Sequence, residues 1–512
     1  MTEFSRKSSI RNTILFGTTL MLMLAANFLT ALSGLFNQTA ATMMFAANIT
    51  LNLGIVCDLI PRIRRDFPFL VFVGTYNILL LGRVYVSFLA HYSEILYYLE
   101  AENYYNLFIA LQVVTLCLLC IYLGYRLAGP FFAEREKNIR TKGWAGVSQN
   151  PLLPVIRQIS TAVLLVSSFA SFYTLMLSIL NVFRYGYLGS FTQVSSASIP
   201  SIVSRLSMFF VPSFTVFLAT MPTRKQLRLP MMVYGVYLLA TLLTGRRNIF
   251  VCEALTILIY FVLRDSLSEK EKRIFKKRSV VGGGILALVA MYLLQRLAEI
   301  RAYGLLSQRN FLDTVINFFY SQGASFRVVI QTVNVWDQFD HSMTWSYLFY
   351  PFELFVHNNL ITRTLFGLTP IIEVQTRAFA ETTHNYAHAL TYLVDPIRYL
   401  AGGGFGTSFV AESYVAFGFL GVVLISAGVG LILRFFASML TRSWVVIASG
   451  LMAIRNFVYI PRSFAFLWVT DVFNLTYLCF YIAIYIAALL VVQVGTHVRP
   501  VRRTAELGEE SK

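Results

Sequence analysis

The stretch YYNLFIALQVVTLCLLCIYLGY, residues 104–125, has no charged side chain over a length that crosses a bilayer as a helix. Similar apolar runs recur along the 512 residues. They predict an all-α polytopic membrane protein with about 12 transmembrane helices. The predicted spans lie near residues 14–35, 39–59, 69–89, 104–125, 155–182, 202–221, 231–244, 248–263, 280–298, 410–433, 443–456 and 474–494.

Composition supports the membrane class and argues against a soluble protein. Hydrophobic residues make up 57% of the chain and charged residues 13%, whereas soluble domains carry about 25% charged residues. The surplus of apolar side chains must therefore face lipid. The net charge of +17 would indicate nucleic-acid binding in a soluble chain. In a membrane protein it reports topology first, so no nucleic-acid partner is expected.

The basic residues predict the orientation of the chain. They cluster in alternate connections, which all fall on one side of the predicted arrangement, so the positive-inside rule places both termini in the cytoplasm. Every lysine lies on that side, whereas the outer side carries arginines only. The guanidinium fork suits phosphate and carboxylate oxygens, although lysine can also simply mark the cytoplasmic side.

These features divide the chain into four predicted parts. Residues 1–298 hold spans 1–9, residues 299–405 form a large external loop, residues 406–495 hold spans 10–12, and residues 496–512 form a cytoplasmic tail. Apolar residues recur at near-helical spacing in the external loop, which predicts helices that lie on the membrane or dip into it.

The external loop contains a candidate catalytic base. In THNYAHAL (383–390), His384 and His388 are four residues apart and would share one face of a helix. Histidine is the natural base at neutral pH, although a structural histidine is the commoner case. The motif lacks the glutamate of a zinc-binding HExxH and has no obvious third ligand, so no metal or other cofactor is expected. A glycine cluster, AGGGFGTSFVAE (401–412), follows closely.

Arginines near the predicted outer ends of spans are candidate anion-binding residues. Arg246 and Arg247 in TGRRN (244–248) join two unusually short spans, and two adjacent guanidinium groups fit a pyrophosphate. Arg455 and Arg462 flank the outer end of another span. The alternative for Arg246 and Arg247 is an ion pair with one of three acids, namely Glu353, Glu373 or Glu412.

Glu412 lies about two residues inside a predicted span, where a carboxylate is expensive and needs a purpose. It is a candidate base, a candidate acceptor for sugar hydroxyl groups, or a structural partner of an arginine. The sequence leaves these three readings open.

The order of motifs resembles one known family. TGRRN is followed by YSQGAS (320–325), the histidine motif, GGGFGTSFVAESYVAFGFLG (402–421) and IPRSF (460–464). This order resembles the Wzy-type O-antigen polysaccharide polymerases over roughly residues 230–470. The resemblance implies a metal-independent glycosyltransferase with a GT-C-like fold in the bacterial cytoplasmic (inner) membrane. Such an enzyme joins oligosaccharide repeat units carried on undecaprenyl pyrophosphate at the outer face.

Two alternatives remain at this stage: a flippase or transporter of lipid-linked oligosaccharide, and an O-antigen ligase. A chain-length regulator and a flippase are candidate partners, besides the lipid-linked substrate and membrane lipid.

Joined to that chemistry, the motifs give each candidate residue a role. His384 is assigned as base, with His388 or Glu412 as alternates. Arg246 and Arg247 would stabilise the leaving pyrophosphate, helped by Arg301 or Arg462. The residues predicted to bind the rest of the substrate are Gln322, Arg455, Tyr303 and Tyr386.

Overall fold

A computed structural model describes residues 3–34, 36–90, 104–132, 151–192, 199–267, 277–303 and 309–509. Within these ranges, side chains are described except at residues 3–10, 90, 187–192, 277–281, 301–303, 360 and 494–509.

The described residues are helical, with no strand among them. The helices up to the predicted external loop are α1 (Glu3–Ser33), α2 (Gln38–Leu59), α3 (Phe67–Tyr76), α4 (Gly82–Ala90), α5 (Tyr104–Leu127), α6 (Leu152–Thr192), α7 (Ser201–Ser207), α8 (Phe210–Ala219), α9 (Arg224–Thr241), α10 (Arg247–Leu267) and α11 (Lys277–Tyr303). Those that follow are α12 (Phe311–Gln322), α13 (Ser325–Asn334), α14 (Trp345–Asn358), α15 (Leu360–Phe366), α16 (Arg377–Thr382), α17 (Tyr386–Val394), α18 (Pro396–Leu400), α19 (Phe409–Ser438), α20 (Trp444–Phe457), α21 (Leu467–Val472) and α22 (Leu475–Glu509).

The predicted class, an all-α polytopic membrane protein, is confirmed. In the described part of the chain, 11 stretches are long and apolar enough to cross a membrane, one fewer than the sequence predicts. The difference is α10, which covers the predicted span 248–263 and is helical. This helix contains four charged residues, which make it too polar to count as a span by composition: Arg247, Glu253, Arg264 and Asp265. The GT-C likeness and the domain boundaries stay predictions.

Helices α5 and α19 cross in direct backbone contact at the centre of the bundle. A Cβ atom at Gly124 would lie 2.2 Å from the carbonyl oxygen of Ala427, and one at Gly430 would lie 2.1 Å from that of Ile121. Only glycine fits at these two positions, because a neighbouring backbone cannot move aside as a side chain can. Close packing of this kind drives helix association in membranes, where lipid tails compete for every apolar surface.

Part of the predicted external loop is built into the core. Helix α13 packs against α5 and α19, and most of its side chains are buried. The Asn106 side-chain amide on α5 donates to the Asn334 amide oxygen over 2.9 Å. Hydroxyl groups of Thr332 and Tyr386 are 2.5 Å apart, which attaches α17 to α13. The segment that carries the histidine motif is therefore held against the membrane helices.

The glycine crossing predicts a stability difference between two positions on α19. Gly430→Val should lower the free energy of unfolding by about 1–3 kcal/mol or more, since the new side chain overlaps the backbone of α5. Gly428→Val is the matched control, because a Cβ atom there meets nothing within 4 Å. Thermal unfolding in detergent compares the two variants, and equal melting temperatures would contradict the crossing.

Candidate active site

His384 is paired with an acid from a neighbouring helix. Its Nδ1 atom lies 2.7 Å from Oε2 of Glu353, which belongs to α14. Each side chain is 34% exposed, so the pair is partly buried but open to a ligand. A carboxylate at Nδ1 holds the proton on that nitrogen, which leaves Nε2 as the proton acceptor. The pair has the arrangement that a general base requires.

A second acid, Glu373, fixes the backbone beside His384. Its Oε1 atom accepts hydrogen bonds from the Tyr350 hydroxyl at 2.6 Å and from the Asn385 amide at 2.7 Å. The Asn385 side-chain oxygen in turn accepts from the backbone N–H of Ala387 and caps α17. Burial, together with the hydrogen bond to Glu373, raises the pKa of Tyr350 above its usual range. These contacts set the position of the histidine motif.

His388 is partly buried and contacts two aromatic side chains. Its Nδ1 atom is 2.8 Å from the Tyr399 hydroxyl, and its ring meets that of Phe379 edge-on at 5.2 Å between centroids. Burial lowers the pKa of His388, which favours the neutral imidazole. The residue joins α16, α17 and α18, and its role as an alternate base stays a prediction.

Glu412 joins two of the motifs named from sequence. It is fully buried; its Oε1 accepts from the Thr407 hydroxyl at 2.6 Å, and its Oε2 accepts from the Ala465 backbone N–H at 2.9 Å. Thr407 belongs to the glycine cluster, and Ala465 directly follows IPRSF. Both carboxylate oxygens thus hold protein groups, which favours the structural reading of Glu412 over the catalytic one.

The segment after Arg462 is packed against the helix that carries Glu353. Phe464 contacts Tyr350 with ring centroids 5.8 Å apart, and Phe466 stacks on Phe349 at 5.6 Å. These aromatic contacts place the IPRSF turn beside α14. The turn that carries Arg462 therefore packs next to α14, the helix that carries Glu353.

Arg462 and Gln322, both predicted site residues, are in contact. Nη1 of Arg462 donates to the Gln322 carbonyl oxygen over 3.3 Å at the end of α12. The preceding residue, Ser321, donates to the Gln295 side chain of α11 over 3.1 Å. The YSQGAS motif thus lies between α11 and the IPRSF turn.

Arg246 lies in the turn before α10, and Arg247 is the first residue of that helix. Arg246 is exposed, whereas Arg247 is partly buried and its Nη1 donates to the Leu294 carbonyl oxygen of α11 over 2.8 Å. Leu294 and Gln295 are neighbours, so α11 links Arg247 to the end of α12 and from there to Arg462. The three acids named as alternative partners of these arginines bind other groups. Glu353 binds His384, Glu373 binds Tyr350 and Asn385, and Glu412 binds Thr407 and Ala465.

Arg455 belongs to a separate, largely buried ion network. Its guanidinium lies 3.1 Å from Glu253 of α10 and 3.4 Å from Asp471 of α21. The Tyr234 hydroxyl of α9 also donates to Glu253, over 2.9 Å. The structure therefore gives Arg455 a role in joining helices, and sequence reasoning missed Glu253, although an acid inside an apolar run was a signal for such a pair.

Tyr386, predicted to bind substrate, is not brought to an open surface. Tyr386 is fully buried between Phe339 and Tyr347, so its ring has no free face for a sugar. Arg301 and Tyr303 lie in the last turn of α11, where the side chains are outside the described residues.

Comparison with known families decides what this arrangement belongs to. The family model described as O-antigen polysaccharide polymerase Wzy matches residues 14–493, nearly the whole chain. The chain belongs to this family. Comparison with curated proteins and with solved structures found no match.

Membership of the O-antigen polymerase family agrees with the resemblance seen in the motif order. It supports a multi-pass membrane polymerase of the glycosyltransferase kind, acting on lipid-linked oligosaccharide repeat units. Within the described ranges, no three His, Cys, Asp or Glu side chains are grouped so as to hold a metal ion. Metal independence of this polymerase stays a prediction.

Glu412 generates a testable prediction for this polymerase. Glu412→Leu should lower stability by about 1–3 kcal/mol, since leucine leaves the buried Thr407 hydroxyl and Ala465 N–H without their acceptor. The matched control is Glu381→Leu, at an exposed ion pair with Arg377, which should leave the melting temperature nearly unchanged. Equal melting temperatures of Glu412→Leu and the wild type would show that the side chain does not hold the two motifs together.

Proposed function

We propose that this polymerase transfers a growing glycan from undecaprenyl pyrophosphate to a sugar hydroxyl of an acceptor repeat unit, at the outer face of the cytoplasmic membrane. The observation that carries the proposal is the Glu353–His384 pair, which provides a carboxylate-oriented base in the predicted external segment. Arginines on adjacent elements supply the positive charge that the leaving group requires.

In the proposed step, the acceptor hydroxyl oxygen attacks the anomeric carbon of the donor glycan. Its proton passes to Nε2 of His384, and Glu353 stabilises the resulting imidazolium. The bond between the anomeric carbon and the pyrophosphate oxygen breaks, and the electron pair leaves with the lipid pyrophosphate. Arg462, with Arg246 and Arg247, stabilises the negative charge on this group. No metal or other cofactor enters the step.

The distribution of charge supports the proposed orientation. Arg62 and Arg126, both in or next to predicted cytoplasmic connections, meet at Asp58 with distances of 2.8 and 3.1 Å. Arg434, at the same predicted side, lies 3.6 Å from Asp66. Helix α19 is kinked at Phe417 and Gly418, and the part from Gly418 to Arg434 spans about 24 Å, most of the hydrocarbon thickness of a bilayer. The basic connections thus suit the membrane surface opposite the kink.

Polymerisation is favoured over the two alternatives by the family match. A flippase moves the lipid-linked unit without chemistry and has no use for a histidine base. A ligase uses the same donor but passes the glycan to a different acceptor. A separate flippase is proposed as a partner because a polymerase at the outer face needs substrate delivered there. A chain-length regulator is proposed as a second partner.

The test is product analysis with purified protein in nanodiscs, supplied with an undecaprenyl-pyrophosphate-linked repeat unit. The wild type should make a ladder of lengthening glycans that persists in EDTA. His384→Ala should reduce the rate by at least about 100-fold, because a general base contributes this much or more. Glu353→Gln should reduce it less, since the imidazole remains but loses its ionic partner.

His357→Ala is the matched control in the same external segment. His357 also lies on α14, but its Nδ1 contacts the Thr369 carbonyl oxygen rather than an acid. This variant should keep the wild-type rate. A ladder made equally well by His384→Ala would remove His384 as the base, and transfer of the intact glycan to a different acceptor would turn the assignment to ligation.

A further inference from the structure

Arg83 lies where the third predicted span meets the end of α12. A Cβ atom at Gly323 would lie 2.0 Å from the backbone nitrogen of Arg83, so α4 and the end of α12 touch through their backbones. Nε of Arg83 donates to the Tyr320 carbonyl oxygen over 3.2 Å. The guanidinium carbon is 4.6 Å from the centre of the Tyr320 ring. An arginine inside an apolar run thus lies against the YSQGAS motif.

Arg462 approaches the same turn of α12 from the IPRSF segment. It donates to the Gln322 carbonyl, two residues beyond the carbonyl that accepts from Arg83. The last carbonyl groups of a helix carry partial negative charge, which attracts guanidinium groups. Each carbonyl engages one N–H group of its arginine, out of the five that a guanidinium offers. Both side chains are partly buried.

The charge environment of these two arginines differs from that of the arginines that pair with acids. Among the described residues, neither Arg83 nor Arg462 has a carboxylate within 4.0 Å. By contrast, a carboxylate lies within that distance of Arg62, Arg126, Arg296 and Arg455. Two guanidinium groups on one helix turn, each held by a neutral carbonyl, form a site that suits a doubly charged anion.

We infer that Arg83 and Arg462 form a two-armed clamp for the pyrophosphate of the lipid-linked substrate, with Arg83 as a further substrate-binding residue. This inference rests on the proposed function, which supplies the pyrophosphate. Two guanidinium forks match two phosphate groups, because each fork binds two phosphate oxygens at once. Both guanidinium groups are attached to the end of α12, through the Tyr320 and Gln322 carbonyl oxygens.

The competing explanation is that the two arginines only cap α12. Capping uses one N–H group, and a lysine ammonium can supply it as well. A bidentate contact to phosphate requires the guanidinium. Arg83→Lys therefore keeps the charge and a capping donor but removes the fork, and it separates the two explanations.

The experiment measures binding of undecaprenyl pyrophosphate and of undecaprenyl monophosphate to purified protein in nanodiscs. The wild type should bind the pyrophosphate more tightly than the monophosphate. Arg83→Lys should weaken pyrophosphate binding at least about tenfold, as expected for loss of a charge-assisted hydrogen bond, and change monophosphate binding much less. The matched control is Arg126→Lys, at an arginine that pairs with Asp58, which should keep the wild-type preference.

The possible results separate the clamp from the polymerase reaction. Suppose that the wild type makes no polymer but binds the pyrophosphate lipid more tightly than the monophosphate, and that Arg83→Lys loses this preference. This result would contradict the proposed reaction and support the clamp. A wild type that polymerises, while Arg83→Lys keeps its preference, would overturn the clamp and keep the reaction. Equal binding of the two lipids by the wild type, or equal weakening of both in Arg83→Lys, would also overturn the clamp.

Discussion

The arrangement of the protein depends on the backbone contact between α5 and α19 at Gly124 and Gly430. Lipid surrounds the helices, so burial of apolar surface does little to favour one helix pairing over another, and close packing must do so. The crossing fixes the long part of α19 after the kink at Phe417 and Gly418, whereas Glu412 lies on the short part before the kink. A Cβ atom at Gly421 would lie 2.1 Å from the Ser413 carbonyl oxygen, so the part that bears Glu412 packs directly against the part that the crossing fixes.

The membrane domain uses its arginines in two ways. Arg455 is neutralised by Glu253 and Asp471, so its charge can be buried and helps to hold α10, α20 and α21 together. Arg83 and Arg462 rest instead on the carbonyl groups at the end of α12. The first arrangement suits a scaffold and the second suits an anionic ligand, since an ion pair already satisfies the guanidinium whereas a neutral carbonyl leaves its charge uncompensated.

The candidate site is assembled from segments that are distant in sequence. His384 meets Glu353, 31 residues before it, and Glu412 meets Ala465, 53 residues after it. Sequence analysis named His384 as a base and Glu353 only as an alternative partner for arginines. It identified both side chains but not their pairing, because no local pattern indicates which loop residue faces which helix.

The sequence by itself determined the class of protein, nearly all its spans and the order of its motifs. Hydropathy is a sum over one helix length, so these features are local and can be read without knowing the fold. Hydropathy is a poor guide for the charged helix α10, because its Glu253 pairs with Arg455 from another helix. Only the tertiary structure decided which charges are paired, that Tyr386 is buried and that Arg83 and Arg462 both donate to the end of α12, since each depends on contacts between residues far apart in the chain.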